Sequence, residues 1–295
     1  MKKTKALKEL LERNAMCIAP GAYDSLSAKM ICNAGFPAIY VTGFGVTASL
    51  LGRPDIGFIT LDEMTNQVRR MAQVVTVPIV VDAEAGFGNA VNAMRTVQEY
   101  EAAGVAGLHI EDQSVPKRYR PDGLPQVVSA QEHVEKIHAA IEARSDEDFC
   151  IIARTDALGR YGLAEAVRRG NLYAEAGADL IFVHGAREVT DLRVIVSEIN
   201  APNIVNYSTL REGRISPIPS FSELEKIGFK LLILPGELLF SAAKAMSGVL
   251  SEVRERGGLE ACEGLFLETE TLLSELEAQR YRRLEERFLP QGAEK

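Results

Sequence analysis

Short apolar runs alternate along the chain with longer stretches in which apolar positions recur every three or four residues. The short runs have the length and composition of buried strands, and the longer stretches have the period of amphipathic helices. Each strand-like run is followed by helical sequence, such as 61–75 after the second run. The eight strand-like runs are 17–19, 38–43, 78–83, 106–112, 149–155, 180–184, 203–207 and 230–234.

Eight strand and helix units in order are what a closed (β/α)₈ barrel requires. A repeated pattern supports this interpretation, because Gly35, Gly104, Gly177 and Gly228 each stand between a helical stretch and the next apolar run. Glycine takes the left-handed conformation that ends a helix before the chain turns back. The alternative is an open doubly wound sheet, but no Gly-x-Gly-x-x-Gly follows the first strand. The sequence therefore predicts an α/β fold of the TIM-barrel type.

Helical sequence continues beyond the eighth strand, over 238–256 and again over 259–288, with Gly257-Gly258 between. We predict that residues 1–256 form the barrel domain with an N-terminal helix, and that residues 257–295 form a C-terminal helical extension of the same structural unit. A barrel closes without such an extension. Its apolar stripe must therefore pack on its own barrel or on a neighbouring subunit.

Composition narrows the class of protein. The 295 residues are 46% hydrophobic and 25% charged, which is enough apolar material for a full core. The net charge of −8 disfavours nucleic acid or an anionic membrane surface as a partner. No apolar run approaches the roughly 18 residues that span a bilayer, and the first residues lack a signal-peptide core, so we expect a cytoplasmic protein. Four scattered cysteines, without Cys-x-x-Cys spacing, predict neither a zinc site nor a disulfide framework.

The carboxyl ends of the predicted strands carry the candidate chemistry, because barrel enzymes place their active sites there. One polar residue at a strand end is commonly structural, but here seven strands present such residues at the same mouth. The polar positions are Tyr40, Thr42, Gly43, Asp82, Glu84, Glu111, Asp112, Arg154, Asp156, His184, Asn206 and Glu237.

Three carboxylates from neighbouring strands, Asp82, Glu84 and Glu111, repel one another unless a cation offsets their charge. Oxygen ligands suit Mg²⁺, with Mn²⁺ as a possible substitute. The alternative is that Arg154 alone neutralises these acids. The planar guanidinium of Arg154 also suits a carboxylate, and the small residues over 42–45 would let backbone N–H groups approach an anion. These features together predict a small substrate with two anionic groups.

The stretch 113–128, which reads QSVPKRYRPDGLPQVV, has three prolines and no regular period. It directly follows the acidic end of the fourth strand. Such a segment is a candidate lid, and lids exclude water and deliver catalytic residues when they close. The alternative is an ordered surface loop with solvated Lys117, Arg118 and Arg120.

Four strings at these strand ends, YVTGFGVTASLLGRPD, VDAEAGFGNAVNAMRTV, GLHIEDQ and IIARTDA, resemble the isocitrate lyase/phosphoenolpyruvate mutase superfamily. The resemblance covers about residues 20–288. It implies a (β/α)₈ barrel whose last barrel helix is exchanged between subunits. It also implies a homotetramer built as a dimer of dimers.

The resemblance implies roles for individual residues. The turn Thr42-Gly43-Phe44 would hold a substrate carboxylate through backbone amides, and Arg154 would bind a carboxylate. Asp82 would bind Mg²⁺ directly. Tyr40 and Asn206, at the ends of strands two and seven, complete the predicted substrate-binding set. The acids that would surround the metal, largely through water, are Asp55, Glu84 and Glu111.

The chain also departs from the family pattern. Lyases of the superfamily carry a catalytic cysteine on the lid in Lys-Lys/Arg-Cys-Gly-His, whereas this chain reads Lys-Arg-Tyr-Arg over 117–120, with Tyr119 at the cysteine position. The Thr-Asn pair of phosphonopyruvate-processing members is absent too. Strand six ends in His184, where lyases tend to have glutamate, and this resembles the phosphonate or oxaloacetate decarboxylase branches. The predicted catalytic residues are Arg154, Glu111, His184 and Tyr119, the last as a proton carrier or as a packing residue on the lid.

The reaction that the resemblance implies is Mg²⁺-dependent cleavage of a C–C bond in a small 2-oxo or 2-hydroxy di- or tricarboxylate, through a metal-stabilised enolate. Retro-aldol lyase and oxaloacetate-type decarboxylase are the leading forms. The alternatives are phosphonate chemistry, of the phosphonopyruvate hydrolase or phosphonomutase kind, and a noncatalytic member that binds metal and carboxylate. The expected partners are a small anionic carboxylate and further copies of the chain.

Overall fold

Eight parallel strands pair in chain order and close into a barrel in the part of the chain that the computed structural model describes, residues 1–117, 123–208 and 214–289. This arrangement confirms the predicted (β/α)₈ fold. The strands are β1 Cys17–Ala22, β2 Ile39–Val41, β3 Ile79–Asp82, β4 Gly107–Glu111, β5 Cys150–Thr155, β6 Leu180–Val183, β7 Asn203–Asn206 and β8 Leu231–Leu234.

Helices precede, separate and follow these strands. They are α1 Lys3–Glu12, α2 Ser25–Asn33, α3 Gly43–Val46 with a π-helical turn Thr47–Leu51, α4 Leu61–Val74, α5 Ala90–Ala103, α6 Ala130–Ala143, α7 Leu158–Glu175, α8 Val189–Glu198, α9 Phe221–Ile227, α10 Glu237–Arg256, a 3₁₀ helix Glu260–Leu265, α11 Thr269–Glu275 and α12 Ala278–Phe288.

The chain divides into two units, Met1–Leu239 and Phe240–Lys295. The first unit contains the barrel. Helix α10 begins just before this division and ends at residue 256, where the sequence places the domain boundary. In the second unit α11 and α12 contact each other, and the side chain of Cys262 is buried.

Local sequence signals set the turns between helices and strands. Gly104 and Gly228 end α5 and α9 with φ values of 85° and 117°. A side chain in this left-handed region is strained, so glycine is required there. At the other ends, the side chains of Thr60 and Asn89 accept backbone hydrogen bonds from the first turns of α4 and α5. The predicted role of the helix-ending glycines is confirmed.

Apolar side chains fill the interior of the barrel. Val80, Ile152, Phe182 and Ile233 belong to one buried cluster, which Leu7 of α1 joins. All four residues of β3 are buried, as expected of a barrel strand that is covered on both faces. Because the interior is packed, polar chemistry is confined to the strand ends.

The segment after β2 folds as a helix, whereas the sequence indicated a loop. The hydroxyl of Thr42 accepts a hydrogen bond from the Gly45 amide at 3.2 Å and caps α3. The reason for glycine at position 43 is steric. A Cβ atom there would lie 2.5 Å from Oε1 of Glu84 and 2.9 Å from Oδ2 of Asp82. Gly43 therefore lets a helix begin directly against two carboxylates.

No helix among the described residues is long and apolar enough to cross a membrane.

Candidate active site

The strand register brings the predicted charged residues together. Glu111 at the end of β4 pairs in register with Arg154 of β5, and Asp82 at the end of β3 pairs with His109 of β4. Paired residues on neighbouring strands lie about 5 Å apart, so their side chains can meet. Nη1 of Arg154 lies 3.2 Å from Oε2 of Glu111. The carboxyl ends of β3, β4 and β5 thus form one charged surface.

Four carboxylates make up one side of this surface, and we call them the acidic cluster: Asp55, Asp82, Glu84 and Glu111. Asp82, Glu84 and Glu111 are buried. The carboxylate of Asp82 is held in place by the backbone, because it accepts hydrogen bonds from the amides of Gly43 at 3.3 Å and Glu84 at 2.9 Å. Glu84 itself has a φ of 51°, which is uncommon for a residue with a side chain.

Lys117 inserts its ammonium group into the acidic cluster. Its Nζ atom lies 2.5 Å from Oε2 of Glu84, 3.2 Å from Oδ2 of Asp55 and 3.3 Å from Oε1 of Glu111. The side chain is only 12% exposed. Sequence analysis placed Lys117 in the candidate lid without a catalytic role, and the alternative of a solvated Lys117 is wrong because three carboxylates surround the ammonium group. The position of Lys117 soon after the acidic end of β4 was the sequence signal that could have indicated this contact.

The acidic cluster still lacks positive charge. Burial raises the pKa of Glu84 well above its ordinary value, although Lys117 opposes the shift. Burial likewise raises the pKa of Glu111 to about 7, against the effects of Lys117 and Arg154. Carboxylates this close together ionise fully only when further positive charge is supplied.

The pKa of Asp82 shifts in the other direction. Burial would raise its pKa, but the positive charges of neighbouring groups, including Lys117 and Arg154, hold the pKa below its ordinary value. His109 lies near the same carboxylate, with Nε2 at 3.9 Å from Oδ1. Burial lowers the pKa of His109 to about 4, so this imidazole is neutral at pH 7. At that pH Lys117, Arg154 and the hydrogen bond from the Glu84 amide stabilise the ionised form of Asp82.

The acidic cluster fits Mg²⁺ in its usual mode. Oε1 of Glu84 is buried without a hydrogen-bond partner, and the carboxyl oxygens of Glu111 are buried with ion-pair contacts to Lys117 and Arg154 but without an aligned hydrogen bond. No group of three or more His, Cys, Asp or Glu side chains among residues 1–117, 123–208 and 214–289 is arranged to hold a metal. Mg²⁺ in proteins is commonly held by one or two carboxylates and several waters, which does not require such a group. Asp82, fixed by two amides, is suited to direct ligation.

On the other side of the surface, every charge has a fixed partner, and we call Arg154, Asp156 and His184 the paired side. Nε and Nη2 of Arg154 donate to the two carboxyl oxygens of Asp156, both at 2.9 Å. Nδ1 of His184 lies 2.9 Å from Oδ1 of the same carboxylate. Burial would raise the pKa of Asp156, but Arg154 and His184 hold it well below its usual range.

The protonation of His184 follows from this contact. An ionised carboxylate only accepts hydrogen bonds, so Nδ1 of His184 must carry the proton that it shares with Asp156. That arrangement leaves Nε2, on the opposite edge of the ring, as the nitrogen that can exchange a proton with a ligand.

A cavity of about 260 Å³ is lined by the paired side together with Lys117 and, from the acidic cluster, Asp55. The cationic groups of Lys117 and Arg154 and the ring of His184 lie at its wall beside the carboxylates of Asp55 and Asp156, and a small anion fits against the two cationic groups. Of the predicted site residues, the structure brings Asp55, Arg154 and His184 to this cavity. The residues that line it include Asp55, Gln113, Lys117, Arg154, Asp156 and His184.

Two of the predicted substrate-binding residues lie elsewhere. The hydroxyl of Tyr40 is buried and lies 2.8 Å from Nε2 of His109, inside the barrel. Asn206 lines a separate cavity of about 90 Å³, to which His184 also contributes. The Oδ1 atom of Asn206 is buried there without a hydrogen-bond partner.

The predicted carboxylate-binding turn has other contacts. Thr42 caps α3, and the amide of Gly43 donates to Asp82. Phe44 is 39% exposed. Tyr119, the predicted proton carrier, lies outside the described residues, and its role stays a prediction from sequence.

Sequence reasoning noted Asp156 at a strand end but gave it no function. The signal was present in the spacing, because residues two apart at the end of a strand point to the same face. Arg154 and Asp156 have this spacing, and their side chains form a two-pronged pair.

Comparison with known proteins agrees with this geometry. The profile of the family described as phosphoenolpyruvate phosphomutase matches residues 7–254. A 2,3-dimethylmalate lyase from Eubacterium barkeri is 42% identical over 240 residues, which cover 81% of this chain and 82% of that protein. A 2-methylisocitrate lyase from Aeropyrum pernix is 38% identical over 251 residues, which cover 85% of this chain and 80% of that protein.

Solved structures give the same result. A crystal structure of 2,3-dimethylmalate lyase, described as a member of the PEP mutase/isocitrate lyase superfamily, has a TM-score of 0.87 at 28% identity and covers 97% of this chain and 99% of its own. A phosphonopyruvate hydrolase in complex with oxalate and Mg²⁺ has a TM-score of 0.89 at 30% identity, over 98% of this chain and 100% of that one. The chain therefore belongs to the PEP mutase/isocitrate lyase superfamily.

Proposed function

We propose that this protein is a Mg²⁺-dependent carbon–carbon lyase that acts on a small 2-oxo or 2-hydroxy di- or tricarboxylate. The observation that carries the proposal is the contact between the acidic cluster and Arg154, whose Nη1 lies 3.2 Å from Oε2 of Glu111, beside a cavity that Arg154 and Asp55 line. A cation site next to a carboxylate-binding arginine matches a substrate with two anionic groups. The relatives named 2,3-dimethylmalate lyase and 2-methylisocitrate lyase support the choice of a carboxylate substrate.

When bound, Mg²⁺ would supply positive charge beside the substrate oxygen on which negative charge develops as the C–C bond breaks. Asp82 would hold the ion directly. Asp55, Glu84 and Glu111 would accept hydrogen bonds from its waters. Glu111, with its pKa raised to about 7, would also exchange a proton with the site at neutral pH.

Arg154 would bind the substrate carboxylate from the opposite wall of the cavity. Its two hydrogen bonds to Asp156 fix the plane of the guanidinium before substrate arrives. A group that is already oriented needs no reorganisation during the reaction, and this lowers the barrier.

The proton requirement differs between the two leading reactions. Both reactions leave an enolate carbon that takes up a proton, but retro-aldol cleavage also requires a base to remove the proton of the substrate hydroxyl, whereas decarboxylation releases CO₂ without that base. His184 is suited to handle this proton, because Asp156 holds Nδ1 and Nε2 remains for exchange. Tyr119 is the second candidate, from its position in the lid sequence.

A panel of substrates tests the proposal. Oxaloacetate, 2-methylisocitrate, 2,3-dimethylmalate and phosphonopyruvate would each be assayed with Mg²⁺ and again with a chelator. We expect turnover of one of the first three, and we expect the chelator to abolish it. Absence of turnover for all four compounds would contradict the proposal.

Phosphonate chemistry is the second candidate. Two observations favour it: strand six is followed by His184, and a phosphonopyruvate hydrolase is among the similar structures. Turnover confined to phosphonopyruvate would establish this alternative in place of the lyase.

We also propose that the chain assembles as a homotetramer, a dimer of dimers in which α10 is exchanged between subunits. The support is the row of exposed apolar side chains on α10, which includes Met246 at 58% and Leu250 at 69% exposure. Light scattering should give the mass of four chains.

A cytoplasmic location is also proposed, since all four cysteines are free thiols, as expected in a reducing compartment.

A further inference from the structure

Asp112 lies directly behind the candidate active site. Successive strand residues point to opposite faces, so Glu111 faces the mouth while Asp112 faces the layer between sheet and helices. The side chain of Asp112 is completely buried. Its carboxylate accepts four hydrogen bonds, from the Thr155 hydroxyl at 2.7 Å, the Asp156 amide at 2.9 Å, the Tyr173 hydroxyl at 2.9 Å and Nη1 of Arg169 at 2.9 Å.

Arg169 of α7 is the cation that pairs with Asp112 in the described part of the chain. Its side chain is only 8% exposed. The same Nη1 atom donates to the Val128 carbonyl at 3.0 Å, and the Val128 amide donates to the Asp112 carbonyl at 2.8 Å. Val128 is the last residue of the candidate lid segment, 113–128. Arg169 therefore contacts both the end of β4 and the base of that segment.

The Asp112 carboxylate connects Arg169 to the paired side. It fixes the backbone of Asp156, and the side chain of Asp156 in turn holds Arg154 and His184. Burial raises the pKa of Asp112, and the hydrogen bonds from Thr155, Tyr173 and the Asp156 amide oppose that rise. A buried carboxylate that loses its cation is strongly destabilised, so its orientation depends on Arg169.

We propose that Arg169 is a positioning residue: through Asp112 it fixes Asp156, and thereby the orientation of Arg154 and His184, and it holds the base of the candidate lid at Val128. The inference rests on the proposed function, in which Arg154 binds a substrate carboxylate. Arg169 itself lines neither the cavity nor the acidic cluster.

The chain offers a matched control. Arg168 precedes Arg169 on α7, and both side chains donate to Glu165. Arg168 is 55% exposed, and Glu165 is its ion-pair partner. Arg169→Lys keeps the charge but loses the planar fork, and Arg168→Lys makes the same change without touching Asp112. Tyr173→Phe removes one of the four hydrogen bonds and leaves the ion pair intact.

The first measurement is the dissociation constant of oxalate in the presence of Mg²⁺, by calorimetry at a temperature where circular dichroism shows every variant to be folded. Arg169→Lys should raise it about tenfold, as changes behind a ligand-binding group commonly do. Tyr173→Phe should raise it less, and Arg168→Lys should leave it unchanged. A merely structural role would lower the melting temperature without changing the affinity of the folded protein.

The second measurement needs no ligand. The ¹⁵N signals of the His184 ring report its contact with Asp156, and the half-exposed ring of His138 provides an internal control. Arg169→Lys should shift the His184 signals and leave those of His138 in place. An unchanged His184 spectrum would overturn the inference, and so would unchanged oxalate affinity. If the wild-type protein fails to bind oxalate, the proposed function is contradicted, and the His184 signals alone decide the positioning role.

Discussion

The acidic cluster and the paired side adjoin each other where Arg154 contacts Glu111, but they are held in different ways. On the paired side, Arg154 and His184 both contact Asp156 at 2.9 Å. On the acidic side, Lys117 is shared among three carboxylates, and an oxygen of Glu84 has no hydrogen-bond partner. On the paired side each charged group has a partner, whereas the acidic cluster has more carboxylates than positive charges.

The pKa shifts on the two sides run in opposite directions. Asp156 is held ionised, because Arg154 and His184 keep its pKa well below the usual range. Glu111 resists ionisation, because burial raises its pKa to about 7. The difference supports the proposal that the paired side binds an anion and that the acidic cluster binds a cation.

The largest expected effect is on the acidic side. Asp82→Ala should abolish Mg²⁺ binding and reduce turnover about a thousandfold, since loss of the metal removes several kcal/mol of charge stabilisation. Calorimetry with Mg²⁺ and the substrate assay measure the two effects. Asp62→Ala is the control, because Asp62 is an exposed acid on α4. Equal Mg²⁺ affinity in wild type and Asp82→Ala would show that the acidic cluster is not the metal site.

The next effect is on the paired side. Arg154→Lys should lower kcat/KM about a hundredfold, because a single ammonium cannot both reproduce the two parallel hydrogen bonds to Asp156 and contact a substrate carboxylate. The protein should remain folded, since the positive charge beside Asp156 and Glu111 is kept. Circular dichroism and steady-state kinetics measure both. Near wild-type kinetics in this variant would contradict the proposed contact between Arg154 and the substrate.

A smaller effect is expected where the lysine meets the acidic cluster. Lys117→Met should tighten Mg²⁺ binding on the order of tenfold, because the carboxylates then lack their internal cation. The exposed Lys226 provides the control, as Lys226→Met changes the net charge equally. Weaker Mg²⁺ binding in Lys117→Met would mean that Lys117 orients the carboxylates for the metal and does not compete with it.

The smallest effect is on stability as a function of pH. The folded pKa of Glu111, about 7, lies above its ordinary value of 4.5, so the folded state retains a proton that the unfolded state releases between these values. This contribution to stability, at most about 3 kcal/mol, is present below pH 4.5 and is lost as the pH rises towards 7. Asp156 contributes no slope between pH 5 and 8, because it is ionised in both states.

Thermal melts of metal-free wild type and Glu111→Gln between pH 5 and 8 measure this effect. Buried His109 and His133, with pKa values lowered to about 4 and about 3, give a slope of the opposite sign, so the difference between the two proteins isolates Glu111. The advantage of wild type over the variant should shrink as the pH rises. A constant difference would indicate that Glu111 is ionised throughout, and that the two sides of the cavity titrate alike.

Sequence patterns predicted the barrel because each strand is a short buried run and each helix carries its own start and stop signals. The predicted helix 61–75 matches α4, which begins after the capping residue Thr60, and the ends of α5 and α6 are likewise set by local residues such as Asn89, Gly104 and Ser129. The segment after β2 was predicted less well. There a hydrogen bond from the Gly45 amide to Thr42 and close packing against Glu84 make a helix out of a glycine-rich stretch that has weak helical propensity of its own.

The sequence by itself determined which strand ends carry charge, since period and composition locate Asp82, Glu111 and Arg154 without knowledge of distances. Only the tertiary structure decided how these charges are paired. The ammonium group of Lys117 lies within the acidic cluster, and Arg154 donates two hydrogen bonds to the carboxylate of Asp156. Asn206 lines a different cavity from Arg154. The physical reason is that strand register and side-chain direction set ion-pair distances, and an electrostatic interaction changes several-fold over a few ångströms and with burial.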